Sequence, residues 1–368
     1  MVPIKILHLT PFYHPNVGGV ETHLTDLVST LDPKKYQQLI LTYSPITTPN
    51  TKFKTIEKIG QNIIIRRFNW FGGNLFHKLE KQPLLNTLYL TPYLLVRSIF
   101  YILCHQPKID VIHAHGLNSA LIGLILKKIF KIKKLIVSIY SSYDNVPISP
   151  ASQKFIKHIL NSSQAVLTQS DSSIKQFKKL GINNVHRYYH WIDLNRFSPS
   201  TKNRQFTILF VGRMIPQKGA YLLAKITNKF PKINFQFIGQ GQDFLKIKNL
   251  KQKNIKLLGN IDYSKLQHYY QKSHLLIIPS QYQEGWGRVA MESLACGTPV
   301  IASNLGGLNE LLDSSVSLLI PPTTKNLTLA INKILNQPDL YQKLQKNSRP
   351  YALEHFSSKN IKYITQHY

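Results

Sequence analysis

One pattern, played through twice, constrains this chain more than any other feature. Short apolar runs alternate with longer stretches of helical periodicity at Ile4 to Leu9, Leu39 to Thr42, Asn62 to Arg66, Val111 to His113, Leu135 to Ile139 and Ala165 to Thr168. After Pro199 and the polar stretch Ser200 to Gln205, the alternation restarts at Thr207 to Val211, Asn234 to Ile238, Ile255 to Leu258, Leu275 to Pro279, Pro299 to Ala302 and Ser317 to Ile320. Strands that are apolar throughout and separated by helices belong to parallel sheets covered on both faces. Two successive α/β domains are therefore predicted, each a doubly wound parallel sheet, joined near residues 195–205. At 368 residues, 43% of them hydrophobic, the chain is long and apolar enough to give each domain a core. Ligands of such sheets bind beyond the carboxyl ends of the strands, so the loops after the runs are the place to look, with a cleft between the domains as the expected site.

Three of those loops carry chemistry. The first strand is followed by Pro15-Asn16-Val17-Gly18-Gly19-Val20-Glu21 and then a helical pattern. Paired glycines let the backbone approach a ligand, and the helix start offers N–H groups to an anion, so Gly18 and Gly19 form a candidate phosphate loop. The second unit opens with Gly212-Arg213-Met214-Ile215-Pro216-Gln217-Lys218-Gly219. Arg213 and Lys218 at a strand end are placed to converge on one diphosphate, the first as a planar fork and the second as a point charge. The third loop reads Glu284-Gly285-Trp286-Gly287-Arg288-Val289-Ala290-Met291-Glu292. Here Glu284 precedes a helix and Glu292 lies within it, both expected to face a ligand, while Gly285 and Gly287 open backbone amides toward phosphate or sugar oxygens.

The order and spacing of these segments resemble family-4 glycosyltransferases of the glycosyltransferase B fold, above all in the block E-G-W-G-R-V-A-M-E-S-L-A-C-G-T-P-V-I-A-S. The resemblance covers nearly the whole chain. It implies two Rossmann-like domains: residues 1–197, completed by a C-terminal helix at 351–368, and residues 198–350, which bind the nucleotide sugar. It further implies that Gly18 and Gly19 border the donor phosphates and that Arg213 and Lys218 pair with the diphosphate. Glu284 would contact hydroxyls of the transferred sugar, and Glu292, beside Arg288, the ribose. The implied reaction moves a hexose-type sugar from a nucleotide-diphosphate donor to a glycan or glycolipid acceptor, with retention and without a cofactor or metal. Leaving-group charge would then be stabilised by Arg213, Lys218 and backbone amides. An epimerase of the same fold and a non-catalytic basic binding protein are the alternatives.

On the acceptor side, relatives end the strand matching Leu135 to Ile139 in T-x-H. This chain has Ser138-Ile139-Tyr140, with Asp144 four residues on. Tyr140 and Asp144, with His115 at another strand end, are the acceptor-side candidates, and His113 is expected to be structural. Trp191 is expected to pack the hinge between the domains.

Charge refines the choice of partner. Lys and Arg total 46 against 17 Asp and Glu, a formal balance of 46 − 17 = +29, which implies a polyanionic partner. No helix-turn-helix, zinc or RNA-binding signature is present, so nucleic acid is not expected. A nucleotide sugar and an anionic membrane surface remain. Leu84 to Cys104 is the most apolar stretch, interrupted by Asn86, Pro92 and Arg97, and is read as a buried or interfacial helix. Two cysteines, Cys104 and Cys296, give no metal-ligand spacing. The first strand has no signal-peptide pattern, so a cytoplasmic protein, peripheral on the inner face of the membrane, is expected.

Overall fold

In a computed structural model the chain is described for residues 2–16, 18–48, 51–72, 75, 79, 83–140 and 149–368. Val17, Phe76 and Asp144 lie outside the described residues. The chain divides into two units, Met1–His190 with Lys359–Tyr368, and Trp191–Ser358. Both carry the parallel sheets expected.

Among the described residues the first sheet has eight strands: β1 (Ile4–Leu9), β2 (Tyr36–Tyr43), β3 (Ile56–Ile59), β4 (Ile63–Phe68), β5 (Val111–His115), β6 (Lys134–Ser138), β7 (Ala165–Thr168) and β8 (Val185–Arg187), ordered β3-β4-β2-β1-β5-β6-β7-β8. Among the described residues only β3 runs antiparallel, on β4. Six of these strands match the predicted runs. The two that sequence periodicity missed, β3 and β8, are the short edges, where Ile56 and Ile59 are exposed and alternation is too brief to register.

The second sheet has six strands: β9 (Thr207–Val211), β10 (Asn234–Ile238), β11 (Ile255–Gly259), β12 (Leu275–Ile278), β13 (Val300–Ser303) and β14 (Ser317–Ile320), all at predicted positions and ordered β11-β10-β9-β12-β13-β14. That is the doubly wound order, reversing between β9 and β12, and the reversal is where such sheets open a crevice. The cores follow from two-residue alternation. In the first unit Leu7, Leu9, Ile112, Ala114, Leu135 and Val137 face one cluster. In the second, Ile208, Phe210, Phe235, Phe237, Leu275 and Ile277 face another.

The division falls a few residues before the expected boundary at 197. Trp191 and Phe197 are buried with the second unit, where Ile192 donates its N–H to the Phe356 carbonyl at 3.2 Å and Arg349 to the Phe197 and Leu194 carbonyls at 2.6 and 2.9 Å. The stretch predicted to return at 351 is likewise shared. Tyr351 ends up in the helix Pro338–His355 of the second unit, and only Lys359–Tyr368 belongs to the first. There the Tyr368 hydroxyl meets His113 Nδ1 at 2.8 Å and the Tyr368 carbonyl accepts from Lys134 Nζ.

Candidate active site

In the second unit the loops beyond the carboxyl ends of β9, β10, β12 and β13 are stitched to one another through the backbone. Met214 donates to the Gln240 carbonyl at 2.8 Å, Gln281 to Gln217 at 2.7 Å and Gly307 to Glu284 at 2.8 Å. The first of these loops turns through a short helix, Pro216–Lys218, into Gly219, which has φ +70°. A Cβ there would lie 2.0 Å from the Pro279 carbonyl oxygen. Only glycine allows both that dihedral and that approach. The contact brings Lys218 to the segment that carries Glu284.

Lys218 Nζ donates to both carboxylate oxygens of Glu284, at 2.7 and 2.8 Å. The Ser280 hydroxyl donates to Oε1 and the Tyr282 hydroxyl to Oε2, at 2.5 and 3.2 Å, and the ammonium lies 5.1 Å from the Tyr282 ring centroid. Burial alone would lower the Lys218 pKa, but Glu284 and Tyr282 together outweigh it and hold the ammonium above its ordinary value. Arg213, in the same loop, is exposed, and its guanidinium makes no hydrogen bond or ion pair among the described residues. Lys218 and Glu284 are thus brought together, while Arg213 stands apart with its donors available.

The third loop ends at Gly287, the residue before the helix Arg288–Ala295, in the left-handed region at φ 71°. A Cβ on it would press on Leu308 Cδ2 at 2.5 Å. Gly285 is exposed. Glu292, expected to face a ligand, is buried among polar side chains. It lies just over one turn into the helix, 2% exposed, and accepts from Tyr263 at 3.0 Å, Tyr270 at 2.8 Å and Arg288 Nε at 3.0 Å. Arg288 also donates to the Tyr263 hydroxyl at 2.6 Å. Three of about four lone-pair positions of that carboxylate are therefore filled. Burial raises the Glu292 pKa against the opposing effects of Arg288 and the two tyrosines, and burial next to Glu292 raises Tyr270 so far that it stays a donor.

Sequence reasoning missed Ser280, Tyr282, Tyr263, Tyr270 and Gly307. Gly306-Gly307 could have been found, because Asn304-Leu305-Gly306-Gly307 follows a strand just as Gly18-Gly19 does. The tyrosines carried no signal, since aromatic residues in α/β domains ordinarily read as core.

The first unit is built differently. Alternation places His8 of β1 and His113 and His115 of β5 on the sheet face opposite the Leu7 and Ile112 cluster, with His8 directly paired to His113 in register. All three are buried, with ring nitrogens within 4.8 Å of one another. They are metal-ligating residue types, yet their nitrogens are largely taken up within the protein. His8 Nδ1 meets His115 Nε2 at 3.1 Å, His113 Nε2 meets the Ser138 hydroxyl at 2.8 Å, and His115 Nδ1 meets the Tyr140 hydroxyl at 2.6 Å. Burial pulls the His8 pKa down to about 3 and, aided by the neighbouring imidazoles, holds His113 and His115 well below the ordinary value. Burial also raises Tyr140. Gly18 and Gly19 open the helix Gly19–Thr30, and one turn on, His23 sets its ring 5.8 Å from Tyr140 and 4.3 Å from His190. His23, in the helix that the glycine pair opens, thus lies beside Tyr140, which is itself hydrogen-bonded to His115. Asp144 lies outside the described residues.

Two family models match consecutive parts of the chain: Glycosyltransferase Family 4 over residues 17–196 and Glycosyl transferases group 1 over residues 192–350. The chain belongs to the group 1, family 4 glycosyltransferases. It is 28% identical over 368 aligned residues to an uncharacterized glycosyltransferase of Methanocaldococcus jannaschii, covering 96% of this chain and 94% of that one. To a human phosphatidylinositol N-acetylglucosaminyltransferase chain it is 21% identical, over 90% of this chain and 69% of the other. Among solved structures, sucrose-phosphate synthase of Thermosynechococcus elongatus superposes with a TM-score of 0.79 at 20% identity, over 99% and 97% of the two chains. HepE of Anabaena, solved with UDP-glucose, superposes with a TM-score of 0.73 at 20% identity, over 99% of each. The fold of this glycosyltransferase is that of glycosyltransferase B, with two parallel-sheet α/β domains.

Proposed function

We propose that this glycosyltransferase moves a hexose-type sugar from a nucleoside diphosphate to a glycan or lipid-linked acceptor, with retention at the anomeric carbon and without a bound metal. The observation that carries the reading is the Lys218–Glu284 pair at the strand ends of β9 and β12, with the unengaged guanidinium of Arg213 in the same loop. A diphosphate recruits Arg213 as a fork and competes with Glu284 for Lys218, whose ammonium is already ordered and charged. Cationic groups aimed at a leaving diphosphate lower the barrier as charge develops there. Glu284, still held by Ser280 and Tyr282, keeps a fixed direction toward the sugar hydroxyls. Glu292, buried among Tyr263, Tyr270 and Arg288, would take a ribose hydroxyl at the one lone-pair position these donors leave unfilled. His115 and Tyr140, hydrogen-bonded to each other, orient the acceptor side.

Support for the donor comes from HepE, solved with UDP and with UDP-glucose. Support for a lipid-linked acceptor comes from the phosphatidylinositol N-acetylglucosaminyltransferase relative and from the +29 balance, which suits work at the cytoplasmic face of an anionic membrane. Thermal-shift titration with UDP, GDP, ADP and CMP, each with and without EDTA, tests the reading. One nucleoside diphosphate is expected to raise the melting temperature, chelator or not. Stabilisation lost on chelation overturns the metal-free part, and no stabilisation by any of them overturns the donor site. Retention is read from the anomeric configuration of the product by NMR.

A further inference from the structure

The helix Pro83–His105 is apolar on both of its faces. Its inward face buries the hydroxyl residues Thr87, Thr91 and Ser98 among Leu90, Leu94 and Ile102, and the Thr91 and Ser98 hydroxyls find no partner among the described residues. Its outward face presents Leu85, Leu88, Pro92, Val96, Phe100 and Leu103, spaced three or four residues apart as one continuous stripe. Leu88 is 68% exposed and Phe100 60%. A solvated helix face is ordinarily polar, and a contiguous apolar stripe on one marks an interaction surface.

The charge around the stripe identifies what it meets. No acidic residue occurs in the helix, and residues 83–134 hold seven Lys and Arg against one acid, Asp110, whose carboxylate accepts from the Lys5 N–H at 2.9 Å. At the C-terminal end of the stripe, Ile102 and Leu103 share a groove with Lys108, Phe130 and Ile132. Exposed Ile129 lies in the same chain segment as exposed Lys128, Lys131 and Lys133. Arg97, within the helix, and Arg66 of β4 lie 5.2 and 5.6 Å from the Phe68 ring.

We propose that this helix is a docking element that lies in the interface of an anionic lipid bilayer, its leucines and Phe100 among the acyl chains and the lysines at the headgroups. A nucleic acid would neutralise the lysines and leave the leucines wet. A second copy of this chain would cover the leucines but bring its own lysines against these. An anionic bilayer satisfies both at once. By length and apolar composition Leu85–His105 would suffice to cross a membrane. Leu90, Leu94 and Ile102 are instead part of the first unit's core, so the helix lies on the surface as a fixed ridge. The inference extends the lipid-linked acceptor reading, and vesicle binding and nucleotide binding are measured separately so that either fails alone.

Cys104 is exposed at the end of the stripe and Cys296 is buried, so an environment-sensitive fluorophore can be attached at Cys104. With vesicles of phosphatidylglycerol and phosphatidylcholine in equal parts, the labelled protein is expected to co-sediment and its emission to shift to the blue. Vesicles of phosphatidylcholine alone should capture far less. The double variant L88D/F100D, altered only at exposed positions, is expected to lose more than about tenfold in vesicle partitioning at unchanged melting temperature and unchanged stabilisation by nucleotide. K128E/K131E should weaken binding and its salt dependence together. Wild-type partitioning by L88D/F100D overturns the proposal, as does a blue shift that depends on protein concentration without vesicles, which assigns the stripe to a second copy. Binding to both vesicle types that is abolished by salt overturns it as well, since charge alone would then account for capture.

Discussion

In the first unit, the polar residues gathered on the sheet are His8, His113, His115 and Tyr140, buried, mutually hydrogen-bonded and held in their uncharged forms. In the second they are Lys218 with Glu284 and Arg288 with Glu292, ion pairs near the strand ends, with Lys218 and Arg288 still partly reached by solvent. Both sheets are wound on the same plan, so the difference lies in what each plan is asked to hold. A neutral network pins strands together and tolerates full burial, because no charge loses its hydration. An ion pair in a partly open loop keeps a cation oriented and ready for an anion, at the cost of holding two charges out of water until it arrives.

The largest expected break in this comparison comes from acid. His8, His113 and His115 have folded pKa values below the unfolded value near 6.5, so between that value and about 3 for His8 the unfolded chain binds protons that the native state does not. Stability of the first unit is full above pH 6.5 and is lost as pH falls, with a slope approaching about 4 kcal/mol per pH unit for three such groups. Hydrogen exchange followed peptide by peptide at pH 7 and pH 5 should show the first unit opening well before the second; simultaneous opening would remove the contrast.

Next in size is the catalytic effect proposed for the charged pair Lys218–Glu284. Glu284→Ala is expected to reduce kcat by about 10²–10³-fold, while the first unit's exchange protection stays as it was. Turnover at the native rate would exclude Glu284 from the site. Tyr270→Phe, which removes one donor from a buried carboxylate, should destabilise the second unit by about 2 kcal/mol, read by urea titration. Tyr140→Phe removes a bond between neutral groups and should destabilise the first unit by about 1 kcal/mol without altering nucleotide binding. Arg213→Ala should leave both melting transitions in place, because its guanidinium makes no bond within the described residues, and should still weaken the nucleotide-induced shift. A fall in melting temperature instead would make Arg213 structural.

Much of this molecule could be read along the chain. All six strands of the second sheet and six of the first lie where apolar runs predicted them, because a strand buried on both faces needs such a run wherever it sits. The loops carrying Gly18, Gly19, Arg213, Lys218, Glu284 and Gly287 were legible for a related reason, since glycines and charges after an apolar run have few purely structural explanations. The edges β3 and β8 were not, being short and half solvated. Nor was the ring of tyrosines around Glu292, drawn from residues 22 and 29 positions away in the chain.

The sequence by itself determined that there are two doubly wound sheets and which loops stand at their strand ends, because both follow from local alternation and local chemistry. Tertiary structure alone decided which charges pair. Lys218 reaches Glu284 across 66 residues because Gly219 lets two loops touch, and His8 meets His115 across 107 because β1 and β5 are neighbours. It also decided that the helix Pro83–His105 turns Thr87, Thr91 and Ser98 inward beside Leu90 and Leu94 and leaves Leu85, Leu88 and Leu103 outside, since a helix apolar nearly all round does not specify in its own sequence which side the rest of the fold will cover.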